Sequence, residues 1–193
     1  MRAGIIFFGV LLLVGCATAP PAPEPALTVA SGRIERAQPC YDTSTFWQGD
    51  QMAGEAAIVL RLSEQRAYFY KGGMLAGATP VSTGRPGFDT PMGTFRIQQK
   101  VSNYRSSQFG DYVDAHGNIV LKDVDTKVDS APAGAHFVGA RMPWFLRVTE
   151  GIGLHQGYLP GRPASHGCIR LPGPMAQIYF RAASVGTPVT IAP

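Results

Sequence analysis

Apolar side chains recur at every second position in the middle of the chain, which is the period of a half-buried β-strand. In the segment 58–62 the larger aliphatic residues stand at positions 58, 60 and 62. A polar turn over 63–65 separates this segment from the aromatic-rich stretch 65–71, a suitable partner strand that the Gly72-Gly73 pair ends. Further strands are predicted over 74–82, 94–101, 137–149, 152–155 and 187–191.

One segment near the C-terminus has the pattern of a helix. Pro174 suits its first turn, and Gly186 suits the residue just past its end. Its apolar stripe consists of Ile178, Tyr179 and Ala182. The predicted fold class is therefore mostly β, with one or two short helices.

Residues 102–135 are polar and are punctuated by glycines. Within them, 114–118 is predicted to be a turn between two short strands. An insertion of this length in a small domain acts as a lid or binding loop, or is a mobile decoration, and the sequence leaves both interpretations open.

The composition limits the class of protein. The chain has 193 residues, enough for one domain with a leader. Its formal charge is +4, but Lys and Arg are scattered without a long basic run, which argues against nucleic acid as a partner. A mildly basic surface suits an anionic cell wall or lipid.

The N-terminus is typical of a secretory signal, with Arg2 followed by a nearly continuous apolar run over 5–14. The run is shorter than the about 20 residues of a transmembrane helix. It ends in Leu13-Val14-Gly15-Cys16, which resembles the lipobox of bacterial lipoproteins. The resemblance implies cleavage before Cys16, a diacylglycerol on its thiol, and a periplasmic protein anchored to a membrane. Because Ala17 stands where a retention signal usually has Asp, it implies the outer membrane.

The expected organisation has three parts. A signal peptide covers 1–15, a lipidated N-terminus with an Ala/Pro-rich tether covers 16–53, and the folded domain covers 54–193. Phe46 and Trp47 indicate that the end of the extension packs on the domain.

Three cysteines are present, and Cys40 and Cys168 remain once Cys16 is lipidated. An oxidising compartment permits a disulfide between these two. Such a bridge would disable Cys168 as a nucleophile, and the sequence leaves the state of Cys40 open.

The candidate chemistry lies in 154–171, where His155 and His166 precede Cys168. A thiol becomes a nucleophile when an imidazole takes its proton, and the oxyanion that forms needs backbone N–H donors. Gly167 before the cysteine permits unusual backbone angles. Spacing alone leaves three interpretations open: a thiol enzyme, a zinc site built from the same three side chains, and a buried structural cysteine.

The run from Ser165 to Leu171, Ser-His-Gly-Cys-Ile-Arg-Leu, resembles the motif of the YkuD-type L,D-transpeptidase family, as does the upstream His155. Two further segments resemble family segments, Val81-Ser82-Thr83-Gly84 and Thr90-Pro91-Met92-Gly93-Thr94-Phe95. Met142-Pro143-Trp144-Phe145 resembles the aromatic stretch that lines the substrate cleft. The likeness covers about 56–192. One departure is Gln156, which stands between His155 and Gly157 where the common pattern has Gly directly after His.

The resemblance implies a β-sandwich-like catalytic domain that needs no cofactor and binds peptidoglycan stem peptides. Cys168 would be the nucleophile, His155 the general base and His166 an orienting residue, and the N–H groups of Gly167 and Cys168 would form the oxyanion hole. The residues assigned to substrate binding are Arg170, Ser165, Trp144 and Tyr158. The thioester would pass to an amine, giving a crosslink, or to water. A wall-attached lipoprotein is one candidate acceptor. The alternative of another class is a non-catalytic module that binds zinc or wall peptide.

Overall fold

Two β-sheets, one α-helix and a single-turn 3-10 helix (Gly49–Gln51) are the regular elements of residues 44–193, the part of the chain that this computed structural model describes. The predicted signal peptide, Cys16, the Ala/Pro-rich segment and Cys40 lie outside the described residues, so those predictions stay predictions. The strands, in chain order, are β1 (Phe46–Trp47), β2 (Ala56–Arg61), β3 (Arg66–Lys71), β4 (Met74–Pro80), β5 (Gly93–Arg96), β6 (Gln99–Val113), β7 (Ile119–Asp125), β8 (His136–Thr149), β9 (Ile152–Gln156), β10 (Ile169–Leu171) and β11 (Pro188–Ala192).

The first sheet has six strands in the order β1-β4-β3-β2-β11-β5. Its centre is the predicted antiparallel pair of β2 and β3, in which Ile58 stands opposite Phe69. The last strand returns beside β2 in parallel, with Val189 opposite Ile58. All three of these side chains are buried in the core.

The second sheet has five strands in the order β10-β9-β8-β6-β7. The long strands β6 and β8 are antiparallel, whereas β9 and β10 are parallel, with Arg170 opposite His155. Because parallel neighbours run in the same direction, the segment before β10 lies at the same edge as the start of β9. This pairing brings the two halves of the predicted site together.

The helix α1 (Gly173–Ala182) has Pro174 in its first turn, as predicted, and packs on β8 and β9. Tyr179 on its buried face donates a hydrogen bond of 3.1 Å from its hydroxyl to Ala67 O of β3, so the helix also joins the first sheet. Its ring meets that of Phe69 edge to face at 5.0 Å, and Trp47 packs edge to face on Phe69 at 5.2 Å. The prediction that Trp47 packs on the domain is confirmed.

The mostly-β fold class and most of the strands are confirmed, but three details differ. The predicted strand 94–101 is two strands in different sheets, β5 and β6, because Ile97 and Gln98 carry the chain from one sheet to the other. The first sheet begins at Phe46, earlier than the predicted boundary at 54. Gly186 lies in a turn beyond the helix, since α1 ends at Ala182.

Residues 102–135 form no separate lid. Most of them belong to β6 and β7, and β6 is the partner of β8 in the middle of the sheet. The predicted turn over 114–118 is confirmed: Asp114 Oδ1 accepts the N–H groups of His116 and Asn118 at 2.8 and 2.9 Å. Within 44–193, no helix is long and apolar enough to cross a membrane.

Candidate active site

A cavity of about 260 Å³ opens where β9 and β10 meet the base of the β6–β7 hairpin. None of the described residues that line it is Asp or Glu, and two of them are arginines. Its wall consists of Tyr104, Ser106, Ser107, Gln108, Phe109, Ala140, Arg141, Met142, Gly151, His155, Gln156, Gly157, Tyr158, Ser165, His166, Cys168 and Arg170. A cavity of this composition suits a ligand that carries negative charge.

His155 and Cys168 line this same cavity, as the sequence predicts. His155 lies on β9, and Cys168 directly precedes β10, whose Ile169 stands opposite Leu154. Both side chains are 6% exposed. The parallel ladder thus brings an imidazole and a thiol from separate segments to one wall.

The surroundings of His155 determine which ring nitrogen is free. Nδ1 lies 2.8 Å from the carbonyl oxygen of Gln156. A carbonyl only accepts, so Nδ1 carries the proton and Nε2 is left with its lone pair. Burial lowers the pKa of His155 from 6.5 to about 4, opposed by the hydrogen bond to Gln156 O, and the positive charge of Arg170 lowers it further. The imidazole is therefore neutral at physiological pH.

The thiol of Cys168 is free and donates a weak hydrogen bond of 3.5 Å to the carbonyl of Gly151, in the turn between β8 and β9. Burial raises the pKa of the thiol above its ordinary value, while a hydrogen bond from the Gly153 backbone and the charge of Arg170 lower it. The resting site thus holds a neutral thiol and a neutral imidazole in the wall of one cavity.

Ser165 braces the loop before the cysteine, and it is 1% exposed. Its Oγ donates to Cys168 O at 2.5 Å and accepts the Gly167 N–H at 3.1 Å. The prediction that Gly167 supplies an oxyanion-hole N–H is therefore wrong, because Ser165 already occupies that donor. The N–H of Cys168 has no acceptor among residues 44–193 and remains as the donor at the nucleophile.

His166 lies beside the cavity in an aromatic cluster. Its ring stacks on Phe109 with centroids 4.2 Å apart, and the ring of Phe88 meets it edge to face at 4.7 Å. Arg85 Nη2 donates to His166 Nε2 at 2.8 Å. Burial, together with the charges of Arg85 and Arg170, lowers the pKa of His166. The ring is held in place by its hydrogen bond to Arg85, and the orienting role of His166 stays a prediction.

Of the residues assigned to substrate binding, Arg170, Ser165 and Tyr158 line the cavity and Trp144 does not. The Trp144 ring packs on Phe180 of α1 with centroids 5.4 Å apart, so its assignment to the cleft is wrong. Met142, two positions earlier, does line the cavity, and in a regular strand the two side chains would share a face. A left-handed φ of +60° at Trp144 breaks that alternation.

The guanidinium of Arg170 has no hydrogen bond or ion pair to any residue of the described range, although the charge of Asp123 acts on it, and it lines the cavity near the thiol. A guanidinium with free donors in such a wall is suited to bind a carboxylate in bidentate fashion.

The zinc alternative needs His155, His166 and Cys168 to converge on one point. Over residues 44–193, no three His, Cys, Asp or Glu side chains lie close enough together to hold a metal ion. His166 and Cys168 both precede β10, which begins at Ile169, so strand alternation does not place their side chains on one face.

Sequence reasoning missed the residues that other segments bring to the site. Arg141 comes from β8, the 106–109 segment from a bulged part of β6, and Arg85 from the loop after β4. No motif marks the first two, since they depend on the register of β6 against β8. The position of Arg85 directly after the Val-Ser-Thr-Gly segment was the available hint.

The model of the YkuD family, described as the L,D-transpeptidase catalytic domain, matches residues 55–191. A probable L,D-transpeptidase 3 of Mycobacterium tuberculosis is 32% identical over 117 residues. That match covers 60% of this chain but only 38% of the relative, so the chain spans less than half of that protein's length.

Solved structures show the same fold at lower identity. An L,D-transpeptidase from Mycobacterium smegmatis has a TM-score of 0.53 at 23% identity, covering 72% of this chain and 59% of that one. An L,D-transpeptidase from Stackebrandtia nassauensis has a TM-score of 0.53 at 18% identity, covering 74% and 58%. At these identities the likeness shows the fold alone.

Proposed function

The chain belongs to the YkuD family of L,D-transpeptidase catalytic domains, and from that membership we propose that it is a cysteine-dependent L,D-transpeptidase acting on peptidoglycan stem tetrapeptides. The observation that carries the proposal is the meeting of Cys168 and His155 in one cavity, with Nε2 of the imidazole left unprotonated. A nucleophile and a base presented to a common space are the minimal requirement of thiol acyl transfer.

The first half-reaction forms a thioester. The thiol leaves the carbonyl of Gly151, gives its proton to Nε2 of His155, and attacks the carbonyl carbon before the terminal D-Ala of the donor. The Cys168 N–H stabilises the oxyanion. The C–N bond then breaks, and His155 returns the proton to the departing amine of D-Ala.

The resting protonation state explains why the thiol stays protonated until a substrate binds. The raised pKa of Cys168 and the lowered pKa of His155 both oppose an ion pair in the empty cavity. Proton transfer becomes favourable as the new S–C bond forms and the sulfur loses its negative charge. The burial that disfavours a free thiolate therefore also limits side reactions of the thiol.

In the second half-reaction an amine attacks the thioester, forming a C–N bond and releasing the thiol. The proton lost by the amine passes through His155 to the sulfur. The amine belongs to a second stem peptide or to a wall-attached lipoprotein, and water in its place would make the enzyme a carboxypeptidase.

Arg170 binds a carboxylate of the donor under this proposal. Its guanidinium lines the wall together with Arg141. The carboxylate of Asp123 attracts it electrostatically but neither lines the cavity nor hydrogen-bonds to it. A stem tetrapeptide ends in a carboxylate close to the bond that is broken, which fits a cation placed beside the nucleophile.

Muropeptide analysis tests the proposed activity. Purified protein is incubated with sacculi rich in tetrapeptides, the products are digested to muropeptides, and their masses are measured. Crosslinked dimers with loss of D-Ala support transfer to a stem, and tripeptides without dimers indicate hydrolysis. The Cys168→Ala variant should give neither product, and the surface variant Ser130→Ala should match the wild type. Unchanged muropeptides with folded wild-type protein would refute the proposal.

We also propose that the mature protein is a periplasmic lipoprotein of the outer membrane, anchored through Cys16. The support is the lipobox-like sequence and Ala17 after it. Metabolic labelling with an alkyne fatty acid should mark the wild type and not a Cys16→Ser variant. Equal labelling of the two would refute the anchor.

A further inference from the structure

We infer that Thr90 is a positioning residue that aims the oxyanion donor of Cys168. The inference rests on the proposed function and deepens it, because it assigns a role to a buried hydroxyl on a different loop. Thr90 lies between β4 and β5 and is 6% exposed. Its side chain does not line the cavity, so any effect on the reaction passes through the backbone that it holds.

The hydroxyl of Thr90 makes two hydrogen bonds, and its single proton is used in one of them. Its Oγ1 donates to the carbonyl oxygen of Gly167 at 2.8 Å and accepts the N–H of Gly84 at 2.9 Å. An N–H group only donates, so the single hydroxyl proton must point at Gly167 O. The carbonyl of Gly167 is therefore tied to a buried donor whose own direction is determined by a second bond.

This bond orients the peptide plane that contains the proposed oxyanion donor. In a trans peptide the carbonyl of one residue and the N–H of the next point in opposite directions. Holding Gly167 O toward Thr90 therefore directs the Cys168 N–H away from Thr90. That N–H has no acceptor within residues 44–193, whereas the neighbouring Gly167 N–H is occupied by Ser165.

The plane needs such a support because Gly167 has a φ of +104°, a conformation open to glycine and costly for other residues. Glycine permits this geometry but does not by itself enforce it. The segment that carries Thr90 is itself tied to the cysteine loop, since Arg85 N–H donates to Ser165 O and Ser165 N–H donates to Thr83 O, both at 3.0 Å. Thr90 thus holds the Gly167–Cys168 peptide plane from a segment that is itself hydrogen-bonded to the cysteine loop.

The test separates a reaction that forms an oxyanion from one that does not. Acetylation of Cys168 by p-nitrophenyl acetate passes through a tetrahedral oxyanion: the S–C bond forms and p-nitrophenolate leaves. Alkylation of the same sulfur by iodoacetamide is a direct displacement of iodide at carbon without an oxyanion. Both rates are measured on wild type, Thr90→Val, Thr90→Ala and Thr90→Ser, with thermal unfolding as the measure of folding.

We expect Thr90→Val to lower the acetylation rate by about 10- to 100-fold, a part of the loss seen on removing an oxyanion donor outright. Its alkylation rate should stay within about twofold of wild type, because the sulfur itself is unaltered. Thr90→Ser keeps the hydroxyl and should recover most of the acetylation rate. Thr90→Ala gives the same comparison if the valine variant does not fold.

The control is Thr79→Val, which removes another buried threonine hydroxyl that faces a backbone carbonyl, in β4 and outside the cavity. It should leave the ratio of the two rates unchanged. Equal losses of the acetylation and alkylation rates in the folded Thr90 variants would overturn the inference. So would an unchanged acetylation rate in Thr90→Val, or an acetylation rate in Thr90→Ser as low as that in Thr90→Val. A wild type that is acetylated by the ester but not acylated by a tetrapeptide would refute the proposed substrate and leave the Thr90 comparison readable.

Discussion

The side chain of Arg170 lies directly across the backbone of Gly157. A Cβ atom placed on Gly157 would stand 2.8 Å from Cγ of Arg170 and 2.9 Å from its Cδ, closer than carbon atoms approach without displacement. The Gly157 N–H donates to Leu171 O at 3.0 Å. This bond continues the β9–β10 pairing and keeps Gly157 beside Arg170. Because Gly157 has no side chain, the aliphatic part of the Arg170 side chain can lie against the backbone at 157.

Replacing Gly157 by Ala should therefore weaken donor binding by pushing the guanidinium of Arg170 out of place. We expect KM for a tetrapeptide donor to rise about tenfold with a smaller change in kcat, because roughly 1.4 kcal/mol of carboxylate binding would be lost. In an Arg170→Gly background, which also removes the Cβ of residue 170 that would lie 3.0 Å away, the same Gly157→Ala change should have little effect. If the two changes were additive, Gly157 would act by another route.

Arg170→Gln tests the carboxylate interaction itself. For a donor with a free terminal carboxylate, kcat/KM should fall by about 10- to 100-fold, since a charge-assisted hydrogen bond contributes about 1.5–3 kcal/mol. For the same donor with a C-terminal amide, the variant and the wild type should differ little. Equal losses for both donors would show that Arg170 does not recognise the carboxylate.

The lowered pKa of His155 predicts a dependence of stability on pH. The folded value is about 4 and the ordinary value is 6.5, so between these pH values the unfolded chain binds a proton at His155 that the folded chain does not. The contribution of His155 to the unfolding free energy is fully present above pH 6.5. The unfolding free energy should fall by about 3 kcal/mol as the pH is lowered toward 4.

Urea unfolding between pH 7.5 and pH 4.5 measures this loss. The His155→Gln variant lacks the group and should show a shallower decline, and the difference between the two slopes isolates His155 from His166, whose pKa is also lowered. Parallel slopes for the two proteins would mean that His155 is not buried as a neutral ring.

Ser165→Ala should destabilise the fold as well as the site. The change removes a buried hydroxyl that bonds Cys168 O and the Gly167 N–H, leaving both groups without those partners. We expect the unfolding free energy to drop by about 1–3 kcal/mol, measured by urea denaturation. The exposed Ser130→Ala provides the matched control and should change it by less than about 0.5 kcal/mol.

The strands were predictable where their side chains alternate and turn residues mark their ends. The β2–β3 pair follows from the aliphatic residues at 58, 60 and 62 and from the glycines at 72 and 73. The division of 94–101 between two sheets was not predictable, because the sheet to which a strand belongs depends on partners far along the chain. The β6–β7 hairpin looked like an insertion since β6 is rich in polar residues, although β6 pairs along most of its length with β8.

In the site, the residues next to Cys168 were predictable from the local sequence. The orientation of their backbone and side chains was less predictable. Assigning the Gly167 N–H to the oxyanion hole failed because the sequence does not show that Ser165 Oγ turns back to bond it. Trp144 was misplaced because one left-handed residue reverses the side of the strand that its ring faces. Both errors come from single backbone angles, which residue types leave undetermined.

Gln156 shows how this chain accommodates a departure from the common motif. The residue is exposed at the cavity, and the end of its side chain packs near the first turn of α1, where a Cβ on Gly173 would stand 3.2 Å from its Cδ. The glycine that follows it is the one over which Arg170 lies. The inserted residue therefore points toward the helix and leaves the Gly157–Arg170 contact in place.

Intact-protein mass spectrometry tests the central claim, that Cys168 carries the acyl group, most directly. The enzyme is quenched in acid within seconds of mixing with a tetrapeptide donor, and the modified residue is located by peptide mapping. The account predicts an adduct with the mass of the donor acyl group, lacking D-Ala, on Cys168 and its absence in Cys168→Ala. Donor turnover by folded Cys168→Ala protein, or an adduct located on any other residue, would contradict it.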